Sequence, residues 1–334
     1  MKKYFIIFFS AFLAATLVAC SDSEGSSEDE TFELVYANDQ EKSHPMNQAG
    51  EWMAEELEEQ SDGKITMTIQ PDGALGGPED LISSLDSGNV DFAWITSAAL
   101  SEYSEEFDLF NAAYLFEDEK QYKEHFFERD SEVMEEMDDI IEEANIGSHM
   151  VGMLGGGKRH LYNSKQLVEN PEDLEGLKMR VQDSEINAAS WEAMGTTPTS
   201  LPYTEVFTGF QSGVIDAAES SLSAYDSSKF YEEAPYLSLT GHEIIVGPMM
   251  MSDNNYEELP EDLQEIVNEV AFEAGKKASE IWWEEEEELV DNLKDEGVEV
   301  TEVDVDKFKA LAEPVIEETA KNKNAEDLYK KIQD

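Results

Sequence analysis

From residue 32 onward the chain alternates short stretches of apolar period two with longer stretches of helical period, joined by tight turns. Residues 32–37 (FELVYA) alternate as a strand, a polar stretch through His44 and Pro45 leads into an amphipathic helix over 46–60, and residues 64–70 (KITMTIQ) alternate again after the turn Ser61-Asp62-Gly63. The unit repeats at once: residues 73–77 form a loop, Pro78 sits at a helix start, Gly88-Asn89 ends that helix, and residues 90–95 form a buried strand. Strands separated by single helices with short connections imply parallel pairing and an α/β lobe.

The same reading continues downstream. An acidic helix is expected over 120–144, then strands at 147–154 and 160–163, a helical turn at 171–173 and a strand at 178–181. A helix over 184–194, a strand at 197–201, a helix over 204–212 and a strand at 214–218 follow. Residues 260–296 read as one very long helix ended by Gly297. Its WWEEEEE run is expected to be mostly a solvated face, with Trp282 or Trp283 making one core contact, and a last helix over 304–322 closes the chain. At 334 residues the chain exceeds a single domain of about 100–200 residues, so two lobes are expected.

The N-terminus reads differently. Lys2 and Lys3 form a positive end, residues 4–18 an apolar run too short to span a bilayer, and Leu17-Val18-Ala19-Cys20 a cleavage site ending in the chain's single cysteine. This pattern resembles the bacterial lipoprotein signal: residues 1–19 are removed and Cys20 carries the lipid. The remainder then has no thiol for a disulfide, a metal site or a nucleophile. Residues 20–31, polar and without the means to bury surface, read as a flexible tether to the outer face of the cell membrane.

With 77 Asp and Glu against 22 Lys and Arg, the formal net charge is −55. Nucleic acid is excluded as a partner, because binding phosphates requires a basic footprint. The charge is read as a surface acidified for solubility in a salty or alkaline exterior. Catalytic motifs fail one by one. Gly152 to Lys158 (GMLGGGK) fits a phosphate loop until Arg159 replaces the required Ser or Thr, and His242-Glu243 lacks the second histidine of a zinc-protease helix. The histidines at 44, 125, 149, 160 and 242 show no metal spacing, Ser61 to Lys64 is a turn, and no G-x-S-x-G elbow exists.

The arginines are informative because only three exist: Arg129, Arg159 and Arg180. A guanidinium offers a planar fork that matches a carboxylate, so two arginines placed close together in an arginine-poor chain suggest that geometry matters there. In open α/β sheets ligands sit beyond the carboxyl ends of strands, which is where Arg180 lies. The alternative is that both arginines pair with some of the abundant acids.

Five collinear blocks carry a family resemblance: SHP at 43–45, LEEQSDGKITMTIQPDGALGGPEDLISSLDSGNVDF at 57–92, GGKRHLYNSKQLVENPEDLEGLKMRV at 156–181, MGTTPTSLPYTEVFTGFQSGVIDAAES at 194–220 and LPEDLQEIV at 259–267. Together they resemble the DctP-type extracytoplasmic solute receptors of tripartite ATP-independent periplasmic (TRAP) transporters over essentially the whole chain after Cys20. The resemblance implies an α/β, two-lobed, periplasmic-binding-protein-like fold (type II-like) with a hinge and a long crossing helix. Lobe I would comprise 32–154 plus about 243–282, and lobe II 155–242 plus about 283–334.

It further implies a receptor, not an enzyme, that binds an organic acid between the lobes and hands it to a membrane permease, with no cofactor or metal. A sensory lipoprotein of the same fold is the alternative. Arg180 matches the arginine that pairs with the ligand carboxylate, and Arg159 a second arginine on the same side of the cleft. Tyr203 would line the pocket, with Thr96, Asn38 and Asp39 on the opposite wall. Two positions depart from the pattern of many carboxylate-binding members. Ser220 stands where Asn is frequent, leaving room for a larger ligand or a water, and Asp183 would repel a second carboxylate unless a ligand hydroxyl or amine meets it.

Overall fold

The computed structural model describes residues 31–333; the expected signal segment, Cys20 and nearly all of the tether lie outside the described residues. These described residues form one compact unit. Its frame is a nine-stranded sheet: β1 (Phe32–Ala37), β2 (Ile65–Gln70), β3 (Phe92–Trp94), β4 (Ser148–Asn163), β5 (Lys178–Val181), β6 (Thr197–Ser200), β7 (Ala217–Ser221), β8 (Tyr236–Ser252) and β9 (Glu299–Glu302). The spatial order is β2-β1-β3-β8-β4-β7-β5-β6, with β9 added alongside β8.

The parallel pairing expected from the βα units holds at both ends of the sheet, where β1 pairs with β2 and β3, and β5 with β6 and β7. It fails in the middle. There β4 and β8 run antiparallel along their whole length, and they join β7 and β3 antiparallel as well. The segments expected as two strands at 147–154 and 160–163 are one strand of 16 residues. Its partner β8, 17 residues long, escapes a sequence reading because nearly every residue is buried, which erases period two, and because Gly241, Gly247 and Pro248 argue against a central strand. Pro248 is tolerated just past the last β3 pair, Trp94 with Met249, where its carbonyl still accepts from the Ile95 N–H at 3.1 Å.

The Gly155-Gly156-Gly157 run is a bulge in β4, not a phosphate loop: the register to β8 slips between Gly155 and Lys158. Gly156 and Gly157 have φ of +116° and +65°, and a Cβ at either would lie 2.7 Å from the indole of Trp283 or Trp282 respectively. The long helix Glu261–Asp295 thus crosses β4 with both tryptophans pressed on the bulge. Trp282 belongs to one core cluster and Trp283 packs against another, so each makes a core contact where one was expected. The acidic run after them is not wholly solvated either. Glu286 accepts from the Lys158 N–H at 3.3 Å and lies 3.1 Å from His160 Nε2.

Other differences are local. The acidic helix splits into Glu119–Phe126 and Glu132–Ala144, because Ser131 caps the second piece by accepting from the Met134 N–H at 3.1 Å. Arg129 in the break lies over the Phe272 ring, 4.1 Å from its centroid. The strand expected at 214–218 runs three residues later, and a helix at Glu326–Gln333 follows the one expected to be last. Gly156→Ala is expected to lower stability by about 1–3 kcal/mol through its forbidden backbone region and the Trp283 contact. Urea unfolding measures this, and an unchanged midpoint would show that the bulge tolerates a side chain.

Candidate functional site

A cavity of about 420 Å³ opens where the carboxyl ends of β1, β3, β5 and β6 meet the middle of β4 and the end of β7. Its size suits a small organic ligand. Arg180, Arg159, Tyr203, Ser220, Asp183, Thr96 and Asp39 all line it. Asn38 does not: its side chain turns away to Asn47, donating to Oδ1 at 2.8 Å, while its own Oδ1 accepts from the Gln40 N–H at 3.0 Å. Asn38 therefore holds the loop after β1 in the shape that presents Asp39 and Gln40.

Arg180 reaches the cavity because β5 buries Met179 in the core on one face and sends the next side chain to the other. It is 4% exposed, and its Nε donates to the Leu201 carbonyl at 2.8 Å. No carboxylate lies within 4.0 Å of its guanidinium among the described residues, and its two terminal nitrogens make no protein hydrogen bond there. Burial pushes its pKa down, against the attraction of Glu219 farther off.

Arg159 is in the opposite situation. Cross-strand pairing sets it directly beside Glu243 of β8 and diagonal to Glu219 of β7, whose partner on β4 is Leu161. Its Nε and terminal nitrogen donate to both Glu219 carboxylate oxygens, the second at 2.7 Å, and Glu243 lies 3.7 Å away. Glu219 is 0% exposed. Burial alone would raise its pKa, yet Arg159 and His242 hold it well below the usual carboxylate range. Glu243 goes the other way, pushed up by burial more than Arg159 pulls it down, and accepts from Asn187 Nδ2 at 3.3 Å. Burial pushes the pKa of His242 down against the pull of Glu219, with Nε2 3.4 Å from Glu219 and Nδ1 2.8 Å from Thr240 Oγ1. Arg159 thus lines the cavity but already has its carboxylate.

Glu219, His242 and Glu243 bring donor atoms within 4.8 Å of one another, a grouping that sequence spacing does not reveal. The Arg159 guanidinium bonded to Glu219 supplies the positive charge these groups need, so a cation would have to displace it.

The remaining predicted residues differ in exposure and partners. Tyr203 is fixed by its hydroxyl, 2.8 Å from Ser228 Oγ, and by an edge-on contact with Phe230. Ser220 is buried and donates to the Ser221 carbonyl at 3.1 Å. Thr96 caps the Ser97–Leu100 helix, accepting from the Ala99 N–H at 3.2 Å. Asp183 is exposed at the rim. Asp39 is buried, which pushes its pKa up, and Gln40 Nε2 donates to its Oδ1 at 2.7 Å.

Sequence reasoning missed Gln40, Trp94 and Trp282 as lining residues. Trp94 Nε1 donates to the Leu154 and Gly247 carbonyls at 3.1 Å each, tying β3 to both long strands. Trp282 meets His44 edge-on at 4.6 Å, and His44 Nε2 lies 3.2 Å from Ser223 Oγ. The adjacent tryptophans ahead of an acidic run were the available signal for Trp282.

Comparison with known proteins matches this architecture. The profile of bacterial extracellular solute-binding protein, family 7 (DctP) matches residues 36–323. A solute-binding protein of Chromohalobacter salexigens is 31% identical over 295 residues, covering 87% of this chain and 86% of its own. Among solved structures, a TRAP periplasmic solute-binding protein from Sulfitobacter sp. with bound α-D-taluronate is 30% identical, with TM-score 0.84 over 91% of this chain and 97% of its own. Another, from Chromohalobacter salexigens with bound D-glucuronate, is 29% identical, with TM-score 0.83 over 90% and 99%. With the two-lobed α/β fold of these binding proteins, the chain belongs to the bacterial extracellular solute-binding protein family 7.

Proposed function

We propose that this protein is an extracytoplasmic receptor that holds an organic acid in the cavity at Arg180, closes around it, and delivers it to a TRAP-type permease. One observation carries the reading: a buried guanidinium with no carboxylate partner among the described residues faces a ligand-sized cavity. An unpaired buried charge is unfavourable, and a ligand carboxylate accepting from the two free terminal nitrogens would pair it in the bidentate geometry arginine favours. The sugar acids bound by the Sulfitobacter and Chromohalobacter neighbours support a carboxylate of this kind. Arg159 serves the same cavity indirectly, as the buried ion pair that anchors β7 to β4 beside the ligand.

The same reading places the receptor outside the cytoplasm, tethered to the membrane through a lipid on Cys20. Family membership supports the compartment, and the sequence around Cys20 supports the lipid. No described helix is long and apolar enough to cross a membrane.

Arg180→Lys is expected to weaken acid binding by about 2–5 kcal/mol by calorimetry, with little change in the thermal midpoint of the unliganded protein. Uptake should fall with it in cells carrying the permease. Arg159→Ala should instead destabilise the fold by about 3–5 kcal/mol, because it strands Glu219. Unchanged affinity in the Arg180 variant would remove that residue from the ligand. Cys20→Ala is expected to shift the protein from the membrane to the soluble fraction; continued membrane association would refute the lipid anchor.

A further inference from the structure

Charge is distributed unevenly around the cavity. Among the described lining residues the cations are Arg159 and Arg180, and Glu219 neutralises the first. Against the single free cation stand six lining acids: Asp39, Glu79, Asp80, Glu102, Asp183 and Glu205. Most of these lie toward solvent, but Asp39 is 7% exposed. Its Oδ1 accepts from Gln40, and its Oδ2 accepts no hydrogen bond from another residue among those described. No ion pair within 4.0 Å joins it to Arg180 among the described residues, and burial, the main influence on its pKa, pushes that pKa up. A buried acid and a buried cation, each short of protein partners among the described residues, therefore share one cavity without touching.

We propose that the cavity is dipolar and selects acids with a single carboxylate, held by Arg180, whose other end presents hydrogen-bond donors, hydroxyl or ammonium, to Asp39. This rests on the reading that Arg180 receives a carboxylate. A second carboxylate at the Asp39 end would meet a buried acid and an acidic rim, with no further free cation among the described lining residues to compensate. A hydroxyl or ammonium there would instead supply the partner that Asp39 lacks. Asp39 is thus a specificity residue, and Asn38 acts through it by shaping the loop.

The test is calorimetry on the full chain with two matched pairs of acids: D-galacturonate against galactarate for the hydroxyl donor, and 4-aminobutyrate against glutarate for the ammonium donor. The monocarboxylate of at least one pair is expected to bind at least tenfold more tightly than its dicarboxylate, and that pair identifies the donor. Asp39→Asn should reduce the ratio at least fivefold, by weakening the monocarboxylate and admitting the dicarboxylate. The wild-type ratio needs no variant, so it decides the matter even if Asp39→Asn misfolds. Equal or tighter binding of the dicarboxylates, no binding by any of the four acids, or a ratio unchanged in Asp39→Asn overturns the proposal. Arg180→Lys separates the two levels. Dicarboxylate preference abolished by that substitution refutes dipolar selection and leaves the carboxylate reading standing, whereas affinity indifferent to it refutes both.

Discussion

Two long strands, β4 and β8, organise everything else in this protein. Each belongs to both ends of the sheet: the start of β4 and the end of β8 lie with the β1-β2-β3 group, and their other halves lie with β7 and β9. Two parallel α/β groups are thereby made into one sheet whose middle is antiparallel. The connection is neither a loop nor a linker, so relative movement of the two groups has to be absorbed within hydrogen-bonded strands. The slip at Gly155 to Lys158, with indoles of the long helix resting on it, is one of three irregular points in that pair, and the next, between Arg159 and Leu161, begins at a cavity-lining residue. Bulges interrupt the ladder and bend the strand that carries them.

The two arginines near the cavity show how environment, more than residue type, sets a role. Both are buried, both lie on sheet strands, and both line the same space. Arg159 is bonded to Glu219, and the pair holds opposite charges that lower each other's energy enough to overcome desolvation. Arg180 has a backbone carbonyl and little else, so burial depresses its pKa. A paired guanidinium stabilises the scaffold, and an unpaired one is a standing demand for an anion. Even so, the nearby acids that could have met that demand are held elsewhere: Glu219 by Arg159, and Asp39 by a loop that Asn38 fastens to Asn47.

Much of this was legible along the chain. Helix and strand positions from residue 32 to residue 95 follow from local period and turn residues, and so does Arg180 at the end of β5. What was illegible shares one cause. β8 is buried on both faces and carries Gly and Pro, so it displays neither alternation nor helical period. The His242-Glu243 pair reads as a failed metal motif in sequence, but in the sheet it is part of the setting of Arg159. Asn38 and Asp39, adjacent in sequence, look equivalent as loop residues after a strand; the side-chain bond to Asn47 turns one inward and leaves the other at the cavity.

By itself, then, the sequence determined the α/β class, the order of most elements, the family and the two arginines that line the cavity, because these depend on periodicity, punctuation and motifs within short windows. The tertiary structure alone decided which arginine is free. Glu219 lies 60 residues from Arg159 and meets it only because β7 pairs with β4, and Glu243 arrives on a strand that local pattern does not disclose. Charge compensation is a property of distance in space, so whether a buried cation is satisfied or waiting for a ligand cannot be written in a run of neighbouring residues.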